Sequence, residues 1–125
     1  MTIPADPVRE LFSSSAASER EAAMFHPGAI VVISLRDPRE KFFGALLSLG
    51  VAGVAFRGIP LESFDDFALQ LRDGEAATPM TAFFPMHRVD RVELDGPGAG
   101  VSSLAERFAA KSHRAASRVF WPEGA

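Results

Sequence analysis

This 125-residue sequence predicts a small, mainly β protein with added helices. Five short apolar segments have the length of strands, and the first, Ile30–Leu35, is rich in β-branched residues. Glycines, prolines and charged residues separate the segments, as turns require. Because a chain of this length supports one core, we expect the strands to belong to a single compact domain.

The composition excludes several classes of protein. The chain has no cysteine, which rules out disulfides, thiolate nucleophiles and cysteine zinc sites. No apolar run approaches the roughly 20 residues of a transmembrane helix, and the first residues lack the basic and apolar regions of a signal peptide. We therefore expect a cytoplasmic protein with no membrane association.

The first part of the chain, residues 1–27, is predicted to be a helical extension. Asp6 followed by Pro7 favours a helix start, and Ser18 with Glu21 has the spacing of a capping box. Pro27 and Gly28 then end the helical region and permit the turn into the first strand.

The predicted strand domain occupies residues 28–95. Its first three strands are Ile30–Leu35 and residues 42–49 and 53–57, joined by a charged turn and a glycine-bounded bend. An inserted helix at residues 63–73 follows, because apolar residues recur with helical spacing after Ser63 and end before Gly74. Residues 82–85 and Val89–Leu94 are the last two strands, and the second of these alternates Asp90, Val92 and Leu94 with Val89, Arg91 and Glu93.

Beyond the strands, residues 96–101 are predicted to form a glycine-rich linker and residues 102–121 a C-terminal amphipathic helix. Ser102 or Ser103 would cap this helix. Although the net charge is −3, residues 102–120 contain four cations and one acidic residue, so they carry +3 and the remainder −6. Nucleic acid would therefore contact this segment or a local patch.

Two parts of the sequence resemble the Sm-like fold of the Sm, LSm and Hfq proteins, a five-stranded bent small barrel related in shape to the SH3 barrel. The resemblance implies that the five strands of residues 28–95 wrap into one such closed barrel. Residues 31–56 resemble the first motif, which has an apolar strand, a charged turn, a bent strand with a central glycine, here Gly44, and a third strand. Residues 83–94 resemble the second motif, two short strands around a tight turn. The loop at residues 49–53 lacks the Asp and Asn pair of uridine-binding members, and the inserted helix replaces a short loop.

His87 and Arg88 are the first candidates for a binding site, because a tight turn projects both side chains and Hfq has a basic residue beside a histidine there. They would stack on a base or pair with a phosphate. The alternative is structural: His87 bonds to the turn backbone and Arg88 pairs with a nearby carboxylate.

Two further basic groups are candidates for binding RNA or a protein partner. Arg39 and Lys41 lie in the charged turn, where they form either a rim patch or a solvated surface. Four residues of the C-terminal segment follow a 3-4-4 spacing that would form one basic stripe, which either is solvated, contacts RNA, or faces the acidic residues of the inserted helix. These residues are Arg107, Lys111, Arg114 and Arg118.

Catalysis is not expected from this sequence. The three histidines lie far apart without metal-ligand spacing, and residues 96–100 lack the pattern of a phosphate-binding loop, so we expect no metal and no cofactor. The sequence predicts a non-catalytic binding module, a protein-interaction or regulatory subunit that forms homo-oligomers through its strand edges. The alternative is an RNA-binding protein that uses His87, Arg88 and the basic stripe; DNA binding is not expected.

Overall fold

A computed structural model describes residues 24–96 and 101–121. Five strands and three α-helices lie in these residues. The strands are β1 (Ile30–Leu35), β2 (Glu40–Leu49), β3 (Gly53–Pro60), β4 (Met80–Pro85) and β5 (Val89–Leu94). The helices are α1 (Phe64–Arg72), α2 (Leu104–Ser112) and α3 (Ala116–Phe120), and 3-10 turns at Leu61–Ser63 and Met86–Arg88 precede α1 and β5.

The strands form one antiparallel sheet in the order β4-β3-β2-β1-β5. The prediction of a mainly β protein with five antiparallel strands is thus confirmed. The predicted closure is not observed in the described residues, because β4 and β5 occupy opposite edges and do not pair with each other. The sheet is therefore open, and within residues 24–96 and 101–121 the outer backbone edges of these two strands pair with no other strand.

The three central strands bury side chains on both faces, because neighbouring residues of a strand point to opposite sides. Phe42 and Phe43 show this directly, since each lies in a different core. The first core lies on the face away from the helices and includes Val31, Ile33, Leu35, Phe42, Leu46, Val54, Phe56 and Val89. The second core lies between the sheet and the helices and includes Phe43, Ala45, Ile59, Phe64, Phe67, Ala68, Phe108, Ala116 and Phe120.

A pair of glycines brings β2 and β3 unusually close. Gly44 lies directly opposite Gly58 in the register of these strands. A Cβ atom added to Gly44 would lie 2.5 Å from the Gly58 Cα atom and would also overlap the carbonyl oxygen of Arg57. The sequence therefore places a glycine where the backbone of the neighbouring strand leaves no room for a side chain.

The predicted alternation of β5 is wrong at its first residue. Val89 is buried in the first core together with the partly buried Val92 and Leu94, although simple alternation places Val89 on the opposite face. The reason is a bulge: Ser34 pairs with Arg91 and the next residue of β1 pairs with Val89, so Asp90 has no partner in the ladder.

The predicted capping box of α1 does not form. Ser63 makes no side-chain hydrogen bond to the helix, and the 3-10 turn at Leu61–Ser63 begins the helical region instead. In α2 the box is present, because Ser103 Oγ accepts a hydrogen bond from the Glu106 amide at 3.0 Å and the Glu106 carboxylate accepts one from the Ser103 amide at 3.2 Å. The Asp95 carboxylate also accepts hydrogen bonds from the amides of Leu104 and Ala105, each at 2.8 Å.

The predicted single helix at residues 102–121 is wrong, because the chain breaks between α2 and α3. His113 adopts a left-handed conformation, with φ 62° and ψ 25°, and ends α2. Ser112 Oγ donates a hydrogen bond to the Phe108 carbonyl at 2.7 Å and accepts one from the Arg114 amide at 3.1 Å. On a straight helix Phe108 and Phe120 would face about 120° apart; the break lets both enter the second core.

Two predicted segments lie wholly or partly outside the described residues. Of the N-terminal extension, residues 1–23 are outside, and residues 24–27 form turns. Of the predicted linker, residues 97–100 are outside. None of the helices in the described ranges combines the length and the apolar character that a membrane span requires.

Candidate functional site

Arg88 joins the turn before β5 to the turn between β1 and β2. Its Nε donates a hydrogen bond to the carbonyl of Arg36 at 2.7 Å. Its Nη2 donates to the carbonyl of Pro38 at 3.1 Å and to the carboxylate of Glu40 at 2.9 Å. The side chain is 26% exposed. Of the two interpretations of Arg88, the structural one describes these contacts.

The contact between the two turns is reciprocal. The Arg36 amide donates to the Arg88 carbonyl at 2.9 Å, and Arg36 Nη2 donates to the Val89 carbonyl at 2.6 Å. Each arginine therefore satisfies a backbone carbonyl of the opposite turn. Charge-assisted hydrogen bonds of this kind are stronger than neutral ones and hold both side chains in place.

Replacing Arg88 by alanine is expected to lower the free energy of unfolding by about 1–2 kcal/mol, because three hydrogen bonds to the neighbouring turn disappear. Glu40→Gln is the matched control, since it neutralises only the exposed ion pair and should cost less than about 1 kcal/mol. Urea unfolding followed by circular dichroism measures both. Equal costs for the two variants would show that the backbone contacts of Arg88 contribute nothing.

His87, Arg39 and Lys41 are exposed, as a binding role requires. Arg39 and Lys41 line a cleft of about 530 Å³ whose walls carry four basic residues and also Asp37, Glu40 and Asp90. Ions of both signs alternate around this cleft, so its field on an anion is largely cancelled. The structure therefore leaves His87 free to bind but does not place it in a basic pocket.

The helix break divides the predicted basic stripe. The Arg107 guanidinium lies over the ring of Phe64, 5.8 Å from the centroid. Lys111 Nζ forms an ion pair with the Asp65 carboxylate at 2.6 Å, so it faces the acidic surface of α1. Arg114 and Arg118 lie beyond the break and line a cleft to which Arg107 and Lys111 do not contribute. The four cations thus form two separate groups.

A second cleft, of about 610 Å³, collects Arg114 and Arg118 with two residues that were not among the sequence candidates. These are Arg57, from the middle of β3, and His113, from the helix break. We call these four residues and their surroundings the basic cleft. The sequence does indicate Arg57, since it is the one charged residue inside the apolar segment 53–59. No sequence pattern indicates His113, because its place in the cleft depends on the unpredicted helix break.

The edge strand β4 presents apolar side chains to solvent. Phe83 is 54% exposed, and Met80 and Met86 are also exposed. The ring of Phe83 lies against Gly53, and the Met86 amide donates to the Ala52 carbonyl at 2.9 Å, so this end of β4 adjoins the β2–β3 turn. That turn adds two more exposed apolar side chains. We call the resulting set the β4 patch; its members are Leu49, Val51, Phe83 and Met86.

No protein-family model, curated protein or solved structure matches the chain. The two features from which a function can be argued are therefore the β4 patch with its free edge and the basic cleft. The first is an exposed apolar surface on an edge strand, and the second is a concave surface lined by basic residues.

Proposed function

We propose that the chain is a non-catalytic binding module, a protein-interaction or regulatory subunit, that self-associates by pairing β4 of one copy with β5 of another. The observation that carries this proposal is the exposure of Phe83 on a strand whose outer backbone edge has no partner in the described residues. Unpaired strand edges favour pairing with another chain unless charges, prolines or bulges protect them.

The outer edges of β4 and β5 differ in charge, and a head-to-tail contact pairs two such different edges. Residues 80–84 of β4 contain no charged side chain, and Pro85 stands only at the end of the strand. Both edge strands are six residues long. The β5 edge instead carries Asp90, Arg91 and Glu93, and β4 opposes none of these charges with one of its own. A contact of β4 with β5 buries the apolar patch and avoids placing like charges together.

We further infer that the sheet is bent in the Sm-like manner, with α1 inserted between β3 and β4. Phe84 from one edge and Val92 and Leu94 from the other pack against the same first core, which supports strong bending. The central glycine of β2 and the short 3-10 turn between β4 and β5 agree with the motifs on which the resemblance depends. A bent sheet with two free edges would assemble into closed rings or into short chains.

Replacing Phe83 by aspartate is expected to convert an oligomer into a monomer, because it places a charge in the paired edge. Sedimentation equilibrium of the nuclease-treated protein at about 50 µM measures the mass. Gln70→Asp is the control, since it introduces the same charge at an exposed position of α1. Circular dichroism establishes that each variant is folded. A monomeric wild type, or an oligomer unchanged by Phe83→Asp, would contradict the proposal.

RNA binding is the alternative function, and the exposure of His87 on its turn is the observation that favours it. The contacts of Arg88 and Lys111 within the chain weaken it, because both cations already have partners. The alternative requires RNA to co-purify and the native mass to fall after nuclease treatment. It also requires binding to weaken steeply with added salt.

A further inference from the structure

The basic cleft is lined by three arginines and a histidine, and none of its lining residues in the described part of the chain is acidic. One of its walls is apolar and is formed by Leu71, Ala77, Pro79 and Val119. The volume of about 610 Å³ lies within the range of roughly 300–1,000 Å³ that is typical of small-molecule sites. The cleft therefore combines concentrated positive charge with a surface suited to an apolar body.

Arg57 is the cation that the sheet contributes to the cleft. It projects from the centre of β3, and its Nη1 donates a hydrogen bond to Thr81 Oγ1 at 3.1 Å. Its Nε is shielded from solvent and has no hydrogen-bond partner in the described residues. A buried donor on a cation without an acceptor is costly. A bound anion would be held by the outer nitrogens of the same guanidinium, whose contact with Thr81 is exposed.

The arginines of the cleft form no ion pair with a carboxylate among the residues that the structure describes. Within residues 24–96 and 101–121, no Asp or Glu oxygen lies within ion-pair distance of Arg57, Arg114 or Arg118. His113 enters the cleft from a left-handed backbone conformation, which favours glycine over a residue with a side chain. The chain thus has an imidazole at a position where stability alone favours glycine.

We propose that the basic cleft binds a phosphorylated small molecule, with the phosphate on Arg57, Arg114 and Arg118 and the apolar part against Leu71 and Val119. Guanidinium groups match the geometry of phosphate oxygens, and several together give specificity for the dianion. This proposal goes beyond self-association and uses residues outside the β4 patch.

The arrangement favours a small ligand over a nucleic acid strand. A strand needs cations that follow its backbone over several nucleotides. Arg107 and Lys111, which would extend such a track along α2, lie instead over the Phe64 ring and against Asp65. The remaining cations converge on one concave site, which suits a single phosphate group.

NMR titration of the full chain with phenyl phosphate, inorganic phosphate and phenol tests the proposal. We expect phenyl phosphate to shift the amide signals of residues 112–119 and to bind about tenfold more tightly than inorganic phosphate, because the ring adds apolar contact. Phenol alone should produce no saturable shift. Absence of phenyl phosphate binding, or shifts located elsewhere, would overturn the proposal.

Matched variants separate the cleft from general charge effects. Arg118→Gln and Arg114→Gln should each weaken phenyl phosphate binding about tenfold, whereas Arg107→Gln removes the same charge outside the cleft and should weaken it less than about twofold. Equal weakening by Arg107→Gln would overturn the proposal. His113→Gly should raise the melting temperature while weakening binding; a rise in affinity would remove His113 from the site.

Two further measurements distinguish phosphate binding in the cleft from self-association and from RNA binding. The Phe83→Asp variant should bind phenyl phosphate as the wild type does, so failure of self-association leaves this result unchanged. A single-stranded oligouridine of 12 nucleotides should bind no more tightly than phenyl phosphate at equal salt. Tighter binding of the oligonucleotide, with shifts in the same cleft, would replace the small-molecule proposal by an RNA site.

Discussion

Replacing Gly44 by valine is expected to destabilise the protein by about 3–5 kcal/mol, enough to unfold much of a domain of this size. The added Cβ would overlap the Arg57 carbonyl oxygen and lie 2.5 Å from the Gly58 Cα atom. Both contacts are with the backbone of β3, so no side-chain rotation relieves them. Urea unfolding followed by circular dichroism measures the loss.

Gly50→Ala is the control for this prediction. A Cβ at Gly50 meets no heavy atom within 4 Å, so the substitution should change the free energy of unfolding by less than about 0.5 kcal/mol. Gly58→Ala should resemble Gly44→Val, because its Cβ would lie 2.7 Å from Gly44 Cα and would overlap the Phe43 carbonyl oxygen. If Gly44→Val proved as mild as Gly50→Ala, the close approach of β2 and β3 would be wrong.

Truncating Phe43 to alanine is expected to cost about 3–5 kcal/mol. The side chain is fully buried, and its ring centroid lies 5.4 Å from that of Phe64, 6.0 Å from that of Phe108 and 5.5 Å from that of Phe120. One residue of β2 thus contacts all three helices. Its loss would leave a cavity between the sheet and the helical layer.

Hydrogen exchange of the Phe43→Ala variant reports which elements lose protection, which the total free energy of unfolding does not. Protection of amides in α2 and α3 should fall more than protection in β1, which retains the first core. Phe83→Ala is the control, because Phe83 is half exposed and its truncation should cost less than about 1 kcal/mol in a monomer. Uniform loss of protection across sheet and helices would contradict the assignment of Phe43 to a separate second core.

The strands were predictable because their information is local. Ile30–Leu35 is β-branched and apolar, and Gly44 interrupts an apolar segment at the point where β3 approaches most closely. The same locality explains α1, whose apolar residues Phe64, Phe67 and Ala68 recur with helical spacing and are buried. Each of these features depends on a few neighbouring residues.

The features that escaped prediction depend on contacts between distant residues. The bulge at Asp90 follows from the pairing of β5 with β1. The break at His113 accompanies the burial of both Phe108 and Phe120 in the second core, which a straight helix would not allow. The break changed the grouping of the candidate binding residues most. A 3-4-4 spacing groups Arg107 with Arg118 only on a continuous helix, whereas the fold groups Arg118 with Arg57, a residue 61 positions earlier.

The Asp95 carboxylate accepts hydrogen bonds from the first amides of α2, and this has a consequence for the evolution of the chain. The contact fastens the last strand to the start of the helical layer whatever the number of residues between them. Since lengthening a connection costs little free energy once its ends are fixed, we expect insertions at residues 97–100 to leave the strand before them and the helix after them in place.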